Sequence, residues 1–349
     1  MQQLHLGASS LRIPPFCLGT MTWGTQTPLA DAHRQIDMAI EHGLPFLDTA
    51  EMYPVNPVTA ETRGRTEEFI GAWIARNRGR DRPILASKVS GEGSAAIEGG
   101  APMIDAARLR SAVEAALNRL QTEVIDIYQL HWPNRSSYHF RRNWRYAPPP
   151  ACDRDAVHGH MLDVLAEAKN LIDEGKIRAI ALSSETTWGM ANWLALAEAN
   201  DLPRPVTVQN EYSLLCRLAD TDLAELCALE DVPLLAFSPL AAGLLTGKYA
   251  GNVTPDGSRR AHRPDLGGRI TPRVFEAVAA YLGLARDWGL EPVQMALAWC
   301  RSRPFPVVPI LGATTAEQLA LQLPATALTL AEDLLLAIDE IHKDHPMPY

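Results

Sequence analysis

Residues 1–349 are predicted to form a single domain, an α/β chain folded as one (β/α)8 TIM barrel. Three observations predict it. Eight short apolar runs recur along the chain, helix-period stretches separate them, and no shift in composition marks a linker. Runs that are nearly all apolar suit strands buried on both faces, as parallel barrel strands are. A doubly wound sheet with an appended domain is the alternative architecture.

The elements follow in order. Leu4-His5-Leu6-Gly7 and Ser10-Leu11-Arg12-Ile13 read as a short N-terminal hairpin. Apolar runs at 15–21, 44–50, 83–89, 124–132, 177–184, 205–212, 232–240 and 306–313 supply the eight strands. Helical patterns are expected at 31–42, 66–76, 106–120, 161–174, 188–200, 218–230 and 273–288, with a further helix from Thr315 and another at 331–342. In 106–120, Leu109, Val113, Ala116, Leu117 and Leu120 share one face behind an Asp105 N-cap. Gly43, Gly175 and Gly289 stand where helices should stop. Two long loops, 133–158 and 241–271, follow strands and therefore belong to the C-terminal face, where barrels hold their active sites. The first carries Tyr138, Phe140, Trp144, Tyr146 and Pro148-Pro149-Pro150.

Composition narrows the function. A content of 47% hydrophobic and 21% charged residues is that of a globular protein with ample core. A net charge of −9 argues against nucleic acid or an anionic membrane as the partner. Residues 1–11 lack a basic start and an apolar core, and five scattered cysteines (Cys17, Cys152, Cys216, Cys227, Cys300) form no CxxC pair, so free thiols and a cytoplasmic location are expected. No heptad decides the oligomeric state.

The strand ends carry the chemistry. Asp48 closes the second strand and Tyr53 follows it; Lys88 ends the third, and His131 and Trp132 end the fourth. A carboxylate beside a lysine keeps the ammonium charged and in place, and an ammonium beside a phenol lowers the phenol's pKa. That makes Tyr53 a tunable acid, with His131 placed to orient a carbonyl oxygen. Such a set suits protonation of an oxyanion as it forms.

Asp48, Tyr53, Lys88 and His131, within DTAEMY, ASKVSG and YQLHW, resemble the tetrad of the aldo-keto reductases. The resemblance extends through LGTMTWG (18–24), VQNEYSLL (208–215), FSPLAAGLLTGKY (237–249), MALAWC (295–300) and LGATTAEQL (311–319), nearest the bacterial Tas-like branch. It implies NADPH-dependent reduction of a small-molecule aldehyde or ketone, with NADH as the other candidate donor. It also implies roles for residues: Tyr53 as general acid, Lys88 and Asp48 as its tuners, and His131 as the substrate-orienting group. Ser183, Ser184 and Gln209 would hold the nicotinamide carboxamide, Phe237 would stack on its ring, and Thr20 and Met21 would lie near its reactive end. Ser238, Pro239, Leu240, Ala241, Ala242 and Lys248 match a pyrophosphate belt; Gly312, Thr314, Gln318 and Gln322 match the adenosine-phosphate end. Ser184, Gln318 and the pair Leu321-Gln322 depart from the family's usual Asn, Arg and Glu-Asn. Distant relatives include potassium-channel β-subunits, so a cofactor-binding partner subunit with little turnover is the alternative.

Other signals read as background. Gly91-Glu92-Gly93-Ser94-Ala95-Ala96 imitates a dinucleotide loop, but Gly99-Gly100-Ala101-Pro102 breaks the helix it would need. His158 and His160 complete no metal set, so no metal is expected, and both read as solvated loop histidines. The Arg259–Arg263 cluster reads as a solvated loop, or more sharply as a closure over cofactor phosphates. Trp23 and Trp132, with Tyr53 and His131, are expected to line the substrate pocket, joined by Trp144 and Tyr146. Trp73, Trp188, Trp193, Trp288, Trp299 and Cys300 are expected in packing.

Overall fold

The computed structural model describes residues 3–7, 9–97, 99–147 and 153–349. Cys152 and Pro148-Pro149-Pro150 lie outside the described residues. Strands β1 (Leu4–His5) and β2 (Arg12–Ile13) pair antiparallel, Leu4 opposite Ile13. Eight parallel strands then close into a barrel: β3 (Cys17–Gly19), β4 (Phe46–Asp48), β5 (Ile84–Val89), β6 (Ile125–Leu130), β7 (Ile177–Ser183), β8 (Val208–Glu211), β9 (Leu234–Phe237) and β10 (Val307–Gly312). Each strand pairs with its successor, and β10 returns to β3 with Leu311 opposite Leu18.

Helices α1 (Leu29–Glu41), α2 (Arg65–Arg76), α3 (Ala106–Leu120), α4 (Arg154–Asp173), α5 (Thr187–Ala199) and α6 (Leu223–Leu229) fill the links from β3 to β9. The last link carries α7 (Arg259–His262), α8 (Val274–Asp287) and α9 (Pro292–Arg301); α10 (Ala316–Gln322) and α11 (Glu332–Asp344) follow β10. Helix α9 has no counterpart among the expected helix ranges, and α4 begins at Arg154 rather than 161 because Asp153 caps its first turn. The stretch expected as one helix at 218–230 breaks into a 3-10 turn and the short α6.

Two apolar layers hold these elements. Inside the barrel, Cys17, Phe46, Ala86, Ile127, Ala181 and Val308 pack with Leu6, Leu11 and Ile13 of the hairpin region. Gly7 sits against the Asp231 carbonyl, just before β9, so the hairpin covers the N-terminal end of the strands. Outside the wall, Leu47, Leu85, Leu130, Ile180 and Leu234 pack against the helices. With one end covered, the C-terminal face is where polar strand residues meet the long loops.

Candidate active site

Asp48 is the last residue of β4, in register with Ala86 of β5, which places Lys88 one pleat further along. The Lys88 side chain is fully buried. Its ammonium donates to both Asp48 oxygens, at 2.9 and 2.7 Å, and to the Thr49 carbonyl at 2.8 Å, which uses its three hydrogens. Two more donors converge on Asp48 Oδ1: Gln129 Nε2 of β6 at 3.1 Å and Gln209 Nε2 of β8 at 2.8 Å. Thr20 holds the Asp48 carbonyl through its amide and its hydroxyl. Burial alone would push the Lys88 ammonium down, yet the Asp48 carboxylate outweighs it and keeps the group above its ordinary pKa.

Tyr53 lies over this pair, with Lys88 Nζ 5.1 Å from its ring centroid. The expected lowering of the phenol's pKa is corrected here. Burial pushes Tyr53 above its ordinary value, Asp48 adds to that, and Lys88 offsets only part of it. Lys88 favours the phenolate through its charge and at hydrogen-bond range, and desolvation outweighs both.

His131 follows β6, its amide donating to the Val89 carbonyl at 3.2 Å. Its ring meets Tyr53 edge-on, centroids 5.9 Å apart at 75°. Burial, helped by Lys88, holds His131 well below the usual imidazole range, so it is neutral at physiological pH. Its Nδ1 is buried and has no partner among the described residues. Trp132 tilts against His131 at 5.0 Å and donates from Nε1 to the Glu92 carbonyl at 3.2 Å. Beside it, a cavity of about 240 Å³ is lined by Trp132, Ser183, Leu130, Leu182 and residues of α4.

The residues matched to the cofactor fall at or beyond the ends of β3, β7, β8, β9 and β10, with Gln318 and Gln322 on α10. Ser184, Ser238, Ala241 and Ala242 all have φ near +50°, a left-handed conformation disfavoured for side-chain-bearing residues. Such strain tends to collect at ligand clamps. Ser183 and Ser184 leave β7 together, Ser184 donating to the Gln209 carbonyl at 2.9 Å. Phe237 ends β9 partly exposed against the inner core layer; Pro239 and Leu240 lead into the turn at 241–246. Met21 accepts from the Val55 amide at 2.9 Å. Lys248 is exposed and packs on Gly243, where an added Cβ would lie 2.8 Å from its Cε.

At the far end, Gln322 clips the end of β10, accepting from Gly312 N at 3.2 Å and donating to Gly312 O at 2.8 Å. Gln318 accepts from the Thr314 amide and hydroxyl, both at 3.0 Å. Arg259 stands out. Its Nε is buried without a partner among the described residues, and burial together with the neighbouring Arg269 and Arg263 lowers its pKa to about 10. The Arg259 guanidinium, its Nε without a partner among the described residues, and the strained strand-end turns fit an elongated, phosphorylated cofactor.

Several expectations are corrected. Trp23 is fully buried in the outer core cluster. Trp188 and Trp288 are exposed rather than packed, whereas Trp73, Trp193, Trp299 and Cys300 are buried. His158 and His160 sit on α4 and bond to Asn192 and Asn134 rather than to solvent. Arg259 and Arg260 belong to α7, and Arg260 bonds to Asn252 and Val253. No group of three or more His, Cys, Asp or Glu suited to a metal occurs among the described residues. Gln129 and Glu51 also support the site and are not among the expected residues. The period-2 spacing of Gln129 from His131 was the one signal for the former.

A closed parallel barrel with this polar set at its strand ends is that of an NAD(P)H-dependent oxidoreductase acting on small carbonyl compounds. The chain belongs to the aldo/keto reductase family, whose model matches residues 15–343. It is 42% identical to Protein tas of Escherichia coli (strain K12), covering 100% of this chain and 99% of that one. It is 31% identical to the uncharacterized oxidoreductase YrpG of Bacillus subtilis (strain 168), over 98% of this chain and 96% of the relative. Similarity of 27% extends to a probable voltage-gated potassium channel subunit beta of Arabidopsis thaliana, over 91% and 89%. No helix is long and apolar enough to cross a membrane, among the described residues.

Proposed function

We propose that the chain works as one domain that uses NADPH to reduce an aldehyde or ketone to an alcohol, with Tyr53 as general acid. The observation that carries the reading is the Lys88 ammonium locked onto Asp48 beneath the Tyr53 ring, with His131 at its edge. A nicotinamide held there would supply the hydride. His131, neutral and with a free ring nitrogen, donates a hydrogen bond that orients the substrate oxygen. Tyr53 is protonated at neutral pH and gives its proton to that oxygen as charge develops there. The Lys88 charge stabilises the resulting phenolate, and Asp48, held by Gln129 and Gln209, keeps Lys88 charged and fixed. Ser183, Ser184 and Gln209 support the carboxamide, Phe237 the ring, and Arg259 with Lys248 the phosphates. Gln209 does so through its oxygen, because its nitrogen is committed to Asp48.

Mixing the protein with NADPH and an activated aldehyde should consume nicotinamide absorbance. Tyr53→Phe should cut kcat about 10²–10⁴-fold while cofactor affinity holds, the usual reach of general acid catalysis. Full turnover in that variant would sink the mechanism. Tight NADPH binding with no turnover across a broad carbonyl panel would instead favour a partner subunit. At the adenosine end, Gln318→Arg should raise the NADPH-over-NADH preference about tenfold, roughly 1.4 kcal/mol and within reach of one charge-assisted hydrogen bond.

A further inference from the structure

Glu51 is almost wholly buried, at 2% exposure, two residues before Tyr53. The segment carrying it continues the β4–β5 ladder past the end of β4. The Thr49 amide reaches the Ala86 carbonyl at 2.8 Å, and the Glu51 amide reaches the Lys88 carbonyl at 3.0 Å. Bonds in a parallel ladder are evenly spaced, so the next step should join the Ser90 amide to the Glu51 main-chain carbonyl. Instead Ser90 N donates to the Glu51 side-chain carboxylate, Oε2, at 2.9 Å. The carboxylate stands in for the missing backbone acceptor. The main chain is thereby released from the sheet one residue early and turns at once, the Tyr53 amide closing onto the Ala50 carbonyl at 3.0 Å.

A buried carboxylate needs a counter-charge. Arg108, in the first turn of α3, donates to the same Oε2 at 2.5 Å, and Arg63 lies 3.8 Å from Oε1. Arg108 is itself fixed, since its amide donates to the Asp105 cap at 2.8 Å. Although burial pushes the Glu51 carboxyl up, the Ser90 amide and Arg108 outweigh it and hold the group ionised.

We infer that Glu51, ion-paired to Arg108, is a positioning residue for the reaction: it substitutes for a ladder bond so that the chain can leave β5 and set Tyr53 over Lys88. The inference rests on the reading of Tyr53 as the acid. Its consequence is selective. Loosening Glu51 moves the phenol relative to Lys88 and leaves the cofactor residues on β7, β9 and β10 untouched.

The test uses Glu51→Gln, Arg108→Gln and Arg108→Lys in the full chain. Glu51→Gln should lower kcat about 10- to 100-fold, the usual cost of a misplacement near 1 Å. KM and the NADPH dissociation constant should stay within about twofold of the parent, on the same selectivity argument. Arg108→Gln should show the same kcat-only loss, and Arg108→Lys should recover most of it. Hydrogen exchange over residues 48–55 and 86–92 should speed up in Glu51→Gln and Arg108→Gln. Parental kcat and parental exchange in a folded Glu51→Gln would overturn the inference, as would equal losses in kcat and cofactor affinity. If Glu51→Gln does not fold, the Arg108 pair decides: Gln and Lys variants that behave alike overturn it. A parent with no turnover would count against the reductase reading, and the exchange data would still decide the role of Glu51.

Discussion

Protonation states decide what each candidate residue can do. Tyr53 must carry its proton to act as an acid, and burial raises its pKa, so it is fully protonated through neutral pH. His131 must be neutral to donate one hydrogen bond without adding charge, and burial lowers its pKa well below the usual range. The two shifts have opposite signs and widen the working window from both ends. The reductive kcat should therefore stay flat from about pH 6.5 to about pH 10, the ordinary values of the two groups. A pH–rate profile with a limb inside that window would show that the groups are not held as described. Asp48, Lys88 and His131 were legible in the sequence because each is polar at the end of an apolar run, and Tyr53 because it follows Asp48 on the loop leaving that strand. The direction of the Tyr53 shift was not, because a sequence shows the neighbouring lysine and hides the desolvation that outweighs it.

Elements were legible where periodicity was strong and poorly so where it was interrupted. The eight strands stand where the apolar runs placed them, trimmed at their ends. Helix α9 was lost because Trp299 and Cys300 make its pattern apolar on nearly every side, as the burial of seven of its residues bears out. Gly91 shows how a motif can be set aside by its context. It imitates part of a dinucleotide loop, but among the described residues no helix begins between it and α3. Its missing side chain serves Trp132 instead, since an added Cβ would fall 2.1 Å from the indole nitrogen. Gly91→Ala should push Trp132 out of its seat beside His131 and break its bond to Glu92. Steady-state kinetics should then show a raised KM for carbonyl substrate with NADPH affinity unchanged. A KM equal to the parent's would mean that Trp132 does not shape the pocket.

At the scale of the molecule, one buried carboxylate ties together segments far apart in sequence. Glu211, at the end of β8, accepts from Arg141 of the 133–158 loop at 2.8 Å and from Arg269 of the 241–271 loop at 2.9 Å. The Tyr349 hydroxyl donates to it at 3.2 Å, and both guanidinium groups lie within 6 Å of the Tyr349 ring, at 5.7 and 5.8 Å. The two mouth loops and residue 349 are thus pinned at one point, a link that no local pattern could reveal because its members lie 58 to 138 residues from Glu211. Burial pushes Glu211 up, but Arg269 and Arg141 outweigh it and hold its pKa below the ordinary value. A depressed carboxyl contributes stability that is fully present above its unfolded value, about 4.3, and is lost as pH falls through the folded one. Glu211→Gln leaves two arginines facing a neutral group, which should cost about 3–5 kcal/mol at pH 7. Denaturant unfolding should show that gap narrowing below about pH 4, where the parent loses the same charge. Limited proteolysis at pH 7 should cut the variant faster within 133–147 and 241–271, since those loops depend on the pin. A variant with parental stability at pH 7 and parental cleavage rates would show that the loops are held by their other contacts.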